Sequence, residues 1–211
     1  MRERFYNRVQ AGIILSNDVE KKYDNANKNV IILALPRGGV PVAYQIAQKI
    51  KAPLDVFLVR KIGVEGHEEL AVGAITETSK IFNDDIIKML HIGQDSIDRV
   101  IKRETEELQR RNQLYRKGKP ATDITGKTAA IVVAVPVAAP DTLSKMSKEV
   151  DNIICTMVPR NLGGIGQFYV DFSQTEDAEV LELLKKAEEK YSVPTISAED
   201  TAKYKNETIL E

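Results

Sequence analysis

Tryptophan is absent from this chain, cysteine occurs once, histidine twice, and aromatic residues make up only 6% of it. A lone thiol, Cys155, excludes an intrachain disulfide framework. His67, His91 and Cys155 are too scattered for metal-ligand spacing, so no metal site is expected from protein groups. Net charge is also missing: 30 basic residues face 31 acidic ones, which removes any global field for nucleic acid or membrane. The longest uncharged apolar run, residues 128–140, is too short to span a bilayer and contains two prolines. The opening Met-Arg-Glu-Arg-Phe-Tyr has no apolar signal core. Together these absences lead us to expect a soluble cytoplasmic protein. At 211 residues the chain is long enough to bury a real core.

What is present is alternation of apolar runs with helical patterns. Helices are expected over 5–23, 40–50, 84–91, 96–117, 140–148 and 175–190, the last capped by Thr175. Strands are expected over 30–35, 54–59, 129–135 and 152–158, with a hairpin-like pair over 70–76 and 80–83. The order predicts an α/β fold with a mainly parallel sheet and helices on both faces. Residues 1–190 are read as one domain and 191–211 as a polar appendage. Arg110, Arg111, Arg116 and Lys117 crowd the end of the long helix, where they suit its negative pole better than they make a nucleic-acid patch.

One junction carries chemistry. The apolar strand over 30–35 runs into Pro36-Arg37-Gly38-Gly39 and at once into a helix. A helix start leaves backbone N–H groups aimed at one spot, glycines permit positive φ and close approach, and Arg37 can fork onto phosphate oxygens. The reading is a phosphate or pyrophosphate cradle; an ordinary tight strand-to-helix turn remains open beside it.

Three segments together resemble the type I phosphoribosyltransferases, in particular a branch of uncharacterised bacterial and archaeal phosphoribosyltransferase-domain proteins. They are Leu35-Pro-Arg-Gly-Gly-Val40; Leu58-Val-Arg-Lys-Ile-Gly63 with Glu69-Leu-Ala-Val-Gly-Ala-Ile75; and Val133-Ala-Val-Pro-Val-Ala138 with Gly166-Gln-Phe-Tyr-Val-Asp-Phe-Ser173. The likeness covers about residues 4–184. It implies transfer of a phosphoribosyl group from its pyrophosphate donor to a nitrogen nucleophile, with Mg²⁺ as cofactor. On that resemblance Arg37, Gly38 and Gly39 would hold pyrophosphate, and Arg60 and Lys61 would be catalytic. Residues 63–70, with Gly63, Gly66, His67 and Glu69, would form a mobile lid. Phe168 or Tyr169, in a small C-terminal hood, would stack on an acceptor base. The implied partner is pyrophosphate or phosphoribosyl pyrophosphate, with no nucleic acid and no membrane; helix 96–117 or the hood are candidate faces for a homodimer.

One part of the family pattern is missing. Two adjacent acids after an apolar strand, a Thr-Gly loop and a helix should follow a segment like Asp123-Ile-Thr-Gly-Lys-Thr128. Here Thr128 passes straight into the next apolar strand, so a strand-plus-helix unit of roughly 25–30 residues is absent. A parallel sheet can close over such a loss by moving the next strand one place inward, keeping its right-handed crossover. The sugar-phosphate half of a donor site would vanish and the pyrophosphate half would stay. A catalytically inactive phosphate- or nucleotide-binding regulatory or assembly module on the same fold is therefore the alternative reading.

Overall fold

Helix α1 (Arg8–Lys22) begins where Asn7 takes an extended backbone and its side chain accepts the Gln10 N–H at 3.0 Å. The computed structural model describes residues 4–23, 30–120 and 131–191, without the side chains of residues 68 and 69. The junction at Thr128 and the appendage beyond residue 191 lie outside the described residues. After α1 come β1 (Ile32–Ala34), α2 (Gly39–Ile50), β2 (Leu54–Val56), β3 (Arg60–Val64), β4 (His67–Ile75), β5 (Lys80–Phe82) and α3 (Asp84–Met89). The long α4 (Gln94–Arg116) leads to β6 (Val132–Val137), α5 (Pro140–Met146), β7 (Asn152–Met157) and α6 (Asp177–Lys190).

The strands pair in three groups: β1 with β2 in parallel, β6 with β7 in parallel, and β3–β4–β5 as an antiparallel sheet. The expected α/β class with parallel strands and covering helices is what the chain forms. Two local readings change. The run over 54–59 stops at Val56, and Arg60 opens β3, a separate antiparallel strand rather than the end of a parallel one. Helix α6 starts at Asp177 with Glu176 at its cap and no side-chain cap bond, while Thr175 is buried. Within β6–β7 the ladder passes over Pro136, which has no N–H to give.

Among the described residues, the strand after the junction is not found moved inward beside β1. Among the described residues β1 bonds only to β2 and β6 only to β7. Both halves nevertheless lie beneath the same pair of helices. Leu15 and Val19 of α1 and Val42 and Ile46 of α2 share a core with Ile32, Val132, Ala134 and Ile154. A second core joins Val40 and Val56 to Ile62, Val72, Val100, Leu108 and Val180. It binds the antiparallel sheet and α4 to the first half.

The α1–α2 contact is close because Gly12 has no side chain. A Cβ there would stand 2.8 Å from the Val42 carbonyl oxygen and 2.9 Å from Gln45 Cγ. Since the nearest atom is backbone, the helices would have to part. Gly12→Ala is expected to cost about 1–3 kcal/mol, the usual penalty for overpacking, read as a lower thermal midpoint in a denaturation scan.

Candidate functional site

Loop 35–39 lies at the C-terminal end of β1, where α/β sheets place ligands. Helix α2 has Gly38 at its cap and no side-chain cap bond, and its first turn holds no acid. The Gly39 N–H donates to Leu35 O at 3.0 Å and the Val40 N–H to Arg37 O at 3.0 Å. The expectation that Gly39 offers its amide to an anion is thus corrected, because that donor is already used within the loop. Neither Gly38 nor Gly39 has positive φ; Gly38 sits at φ −62°. The Pro36–Arg37 peptide bond is cis.

Close approach explains Gly38 instead. A Cβ at that position would come within 3.0 Å of Arg8 Nε. Arg8 is held there by stacking 3.9 Å over the Phe172 ring and by donating from Nη1 to Ser173 O at 2.6 Å. Arg8 is the residue beside the loop that sequence reasoning missed. It stands 29 positions before Arg37 and only the fold brings it to the loop.

Arg37 is 31% exposed at its side chain and lies 3.9 Å from both Glu176 Oε2 and Asp177 Oδ1 at the start of α6. Asp177 also accepts the Tyr115 hydroxyl and lies 3.7 Å from Arg110 Nη1. Burial, then the bond to Asp177, pushes the Tyr115 phenol up to about 12. A short strand-to-helix loop is thereby joined to distant elements by charge. The carboxylates compete with any anion for Arg37. Glu176→Gln and Asp177→Asn are each expected to strengthen diphosphate binding severalfold, measured by calorimetry; unchanged affinity would show that Arg37 does not bind the anion.

Arg60 does not reach out as expected. Its Nε and Nη2 both lie 2.7 Å from Glu104 Oε2, while Arg103 Nε holds Glu104 Oε1 at 3.1 Å. Glu104 is buried, so this cluster ties β3 to α4. Lys61 is exposed and, by strand alternation, points to the opposite face from Arg60. Residues 63–70 are a β-hairpin rather than an irregular loop. Gly63 is buried within β3, Val64 pairs with His67, and Gly66 takes φ 81° in the two-residue turn. Glu65 at that turn accepts from Arg99 Nη2 at 2.7 Å and Ser96 at 3.0 Å. These bonds lower its carboxyl below the usual range. The side chain of Glu69 lies outside the described residues.

Of the two hood aromatics, Tyr169 is buried and Phe168 partly buried. Tyr169 is 6% exposed, with its ring 5.5 Å from Phe5 and 4.9 Å from Phe172, and Phe168 packs on the same cluster. The Phe5 N–H donates to Phe168 O and the Val170 N–H to Phe5 O, both at 2.8 Å, which pins this segment to the N-terminus. Tyr169 is therefore part of the core. Among the described residues no three of His, Cys, Asp and Glu converge on one point. A cavity of about 620 Å³ between residues 76–79 and Thr105, Gln109 and Asn112 of α4 shares no lining residue with loop 35–39.

Comparison with known proteins bears on this arrangement. The phosphoribosyl transferase domain family matches residues 6–132, more than half of the chain, ending at the first residue of β6. Two Mycobacterium tuberculosis proteins (strains CDC 1551 / Oshkosh and H37Rv), both provisionally named phosphoribosyl transferases, are 35% identical over 189 residues. That match covers 77% of this chain, which spans only 43% of their length. The crystal structure of TT1426 from Thermus thermophilus superposes with a TM-score of 0.70 at 27% identity, covering 87% of this chain and 98% of that one. With the family match, the fold and the strand-to-helix loop in agreement, this chain belongs to the phosphoribosyl transferase domain family.

Proposed function

We propose that the chain binds a diphosphate group, free or as part of a phosphoribosyl donor, at loop 35–39. The reaction class is transfer of the phosphoribosyl group to a nitrogen acceptor. The observation that supports this best is the start of α2 at the end of β1, without a side-chain cap, with Arg37 in the loop and Arg8 lying against Gly38. Leaving pyrophosphate gathers negative charge, and two guanidiniums at the positive pole of a helix are preorganised to stabilise it. The 63–70 hairpin, with Lys61 on the exposed face of β3, would cover the bound anion and exclude water. Mg²⁺, when present with the donor, adds charge neutralisation; no step here depends on it.

A second reading is a phosphate- or nucleotide-binding module without turnover. It is favoured by the bond of Arg60 to Glu104 and by the open place beside β1, where nothing described grips a sugar phosphate. Without that grip, in-line orientation of the donor is lost. The deciding experiment titrates diphosphate and phosphoribosyl pyrophosphate by calorimetry and follows pyrophosphate release with nitrogen acceptors. Release above background supports transfer; diphosphate binding without release supports the module. Failure of either ligand to bind would end both.

A further inference from the structure

Helix α4 carries a stripe at positions 105, 108, 109 and 112, spaced so that all four share one face. That face looks onto the turn between β4 and β5, and the two walls bound the cavity of about 620 Å³. Charged ties hold the walls apart at both ends of the stripe. Beyond one end Arg116 Nη1 lies 3.1 Å from Glu77 Oε2. Before the other, Glu104 Oε2 lies 2.7 Å from Nη2 of Arg60, the strand partner of Ile75. The turn is also set from within. Thr76 N–H donates to Ser79 O at 2.8 Å, and Thr76 Oγ1 accepts the Ser79 N–H at 3.0 Å. Walls braced in this way make a preformed cavity, of the size that small-molecule sites use.

The lining is divided by chemistry. Its floor is apolar: Ile75 and Leu108 are each 2% exposed. The helix wall presents the carboxamides of Gln109 and Asn112. The Gln109 side chain has no hydrogen-bond partner among the described residues, and Asn112 Oδ1 is a buried acceptor without one. A buried acceptor left unpaired is costly, so this wall favours a ligand that brings N–H donors. The turn wall presents the hydroxyls of Thr78 and Ser79 and the ammonium of Lys80, with no side-chain partner for any of them among the described residues. Glu77 is answered by Arg116, so Lys80 is the unbalanced charge of the lining.

We propose that this cavity is a second ligand site, separate from loop 35–39, and that it binds an adenine nucleoside monophosphate. Adenine offers flat apolar faces to Ile75 and Leu108. Its edge pairs an amino donor with a ring-nitrogen acceptor, which a carboxamide meets with two hydrogen bonds. A phosphate suits two hydroxyls and an ammonium, and a single ammonium balances one phosphate better than a chain of them. A bare anion would use only the turn wall and a bare nucleoside mainly the helix wall. The monophosphate engages both.

Calorimetry on the full chain titrates adenosine monophosphate, adenosine and inorganic phosphate, while NMR follows the amide signals of Thr78, Ser79, Gln109 and Asn112. The expected result is one-to-one binding of the monophosphate with shifts at all four amides, and weaker binding of adenosine. Lys80→Ala should weaken the monophosphate about tenfold or more and leave adenosine unchanged; Gln109→Ala should weaken both. Both side chains are exposed, so the variants should keep the parent's circular dichroism. Absence of shifts at these amides would overturn the proposal. So would inorganic phosphate binding as tightly as the nucleotide, or Lys80→Ala binding it as the parent does. Arg37→Ala separates the two sites: it should lose diphosphate and still bind the monophosphate. Loss of both in that variant would assign the nucleotide to loop 35–39 and overturn the second site. These readouts do not require diphosphate to bind, so this inference and the functional one fail separately.

Discussion

Arg37→Ala removes diphosphate binding. The guanidinium is the one cation within loop 35–39, and it can lay two N–H groups on one phosphate. Each hydrogen bond to a charged group contributes about 1.5–3 kcal/mol, so the loss is expected to be about thirtyfold or more and to fall below detection by calorimetry. The backbone of the loop should survive, since the Gly39 and Val40 amides bond within it without help from the side chain. Circular dichroism of the variant therefore matches the parent. Arg37→Lys keeps the charge and loses the fork, and should fall between the two. If Arg37→Ala binds diphosphate as the parent does, the cradle is not the anion site.

Arg116→Met gives the largest expected loss of stability. The Arg116 side chain is 7% exposed at the end of α4, with Nε 3.0 Å from Asp55 Oδ1 and Nη1 3.1 Å from Glu77 Oε2. Nη2 also donates to the Val56 carbonyl. This one side chain therefore ties α4 to β2 and to the turn between β4 and β5. Methionine fills the space but takes the guanidinium away from two partly buried carboxylates, and removing one partner of a buried pair costs about 3–5 kcal/mol. Denaturant unfolding should show the lower midpoint with an unchanged slope. A double variant, Arg116→Met with Asp55→Asn, should recover part of the loss, because one stranded charge is removed. No recovery would mean that the cluster holds by packing alone.

Much of the fold was legible because it rests on local rules. The period of the apolar residues places α1, α2 and α4 within a few residues of their observed bounds, and Pro140 opens α5 as its fixed φ predicts. The 70–76 and 80–83 runs pair as a hairpin, since alternation sets that register. Other readings failed where distance in sequence decides. Arg60 and Lys61 read as the end of a parallel strand, yet the chain turns after Val56 and Arg60 opens an antiparallel strand. Tyr169 read as a stacking platform, yet Phe5, 164 positions earlier, claims its ring.

Composition and order alone determined the α/β class and the loop with Arg37 and its two glycines, because propensity and periodicity act over a few residues. Only tertiary structure decided which partner each charge meets: Glu104 for Arg60, Glu176 and Asp177 for Arg37, Gly38 for Arg8. It also decided that, among the described residues, β1 pairs only with β2 and β6 only with β7. Helices α1 and α2, in close contact at Gly12, hold the two halves beneath one shared core, because burial of apolar surface acts between residues far apart in sequence.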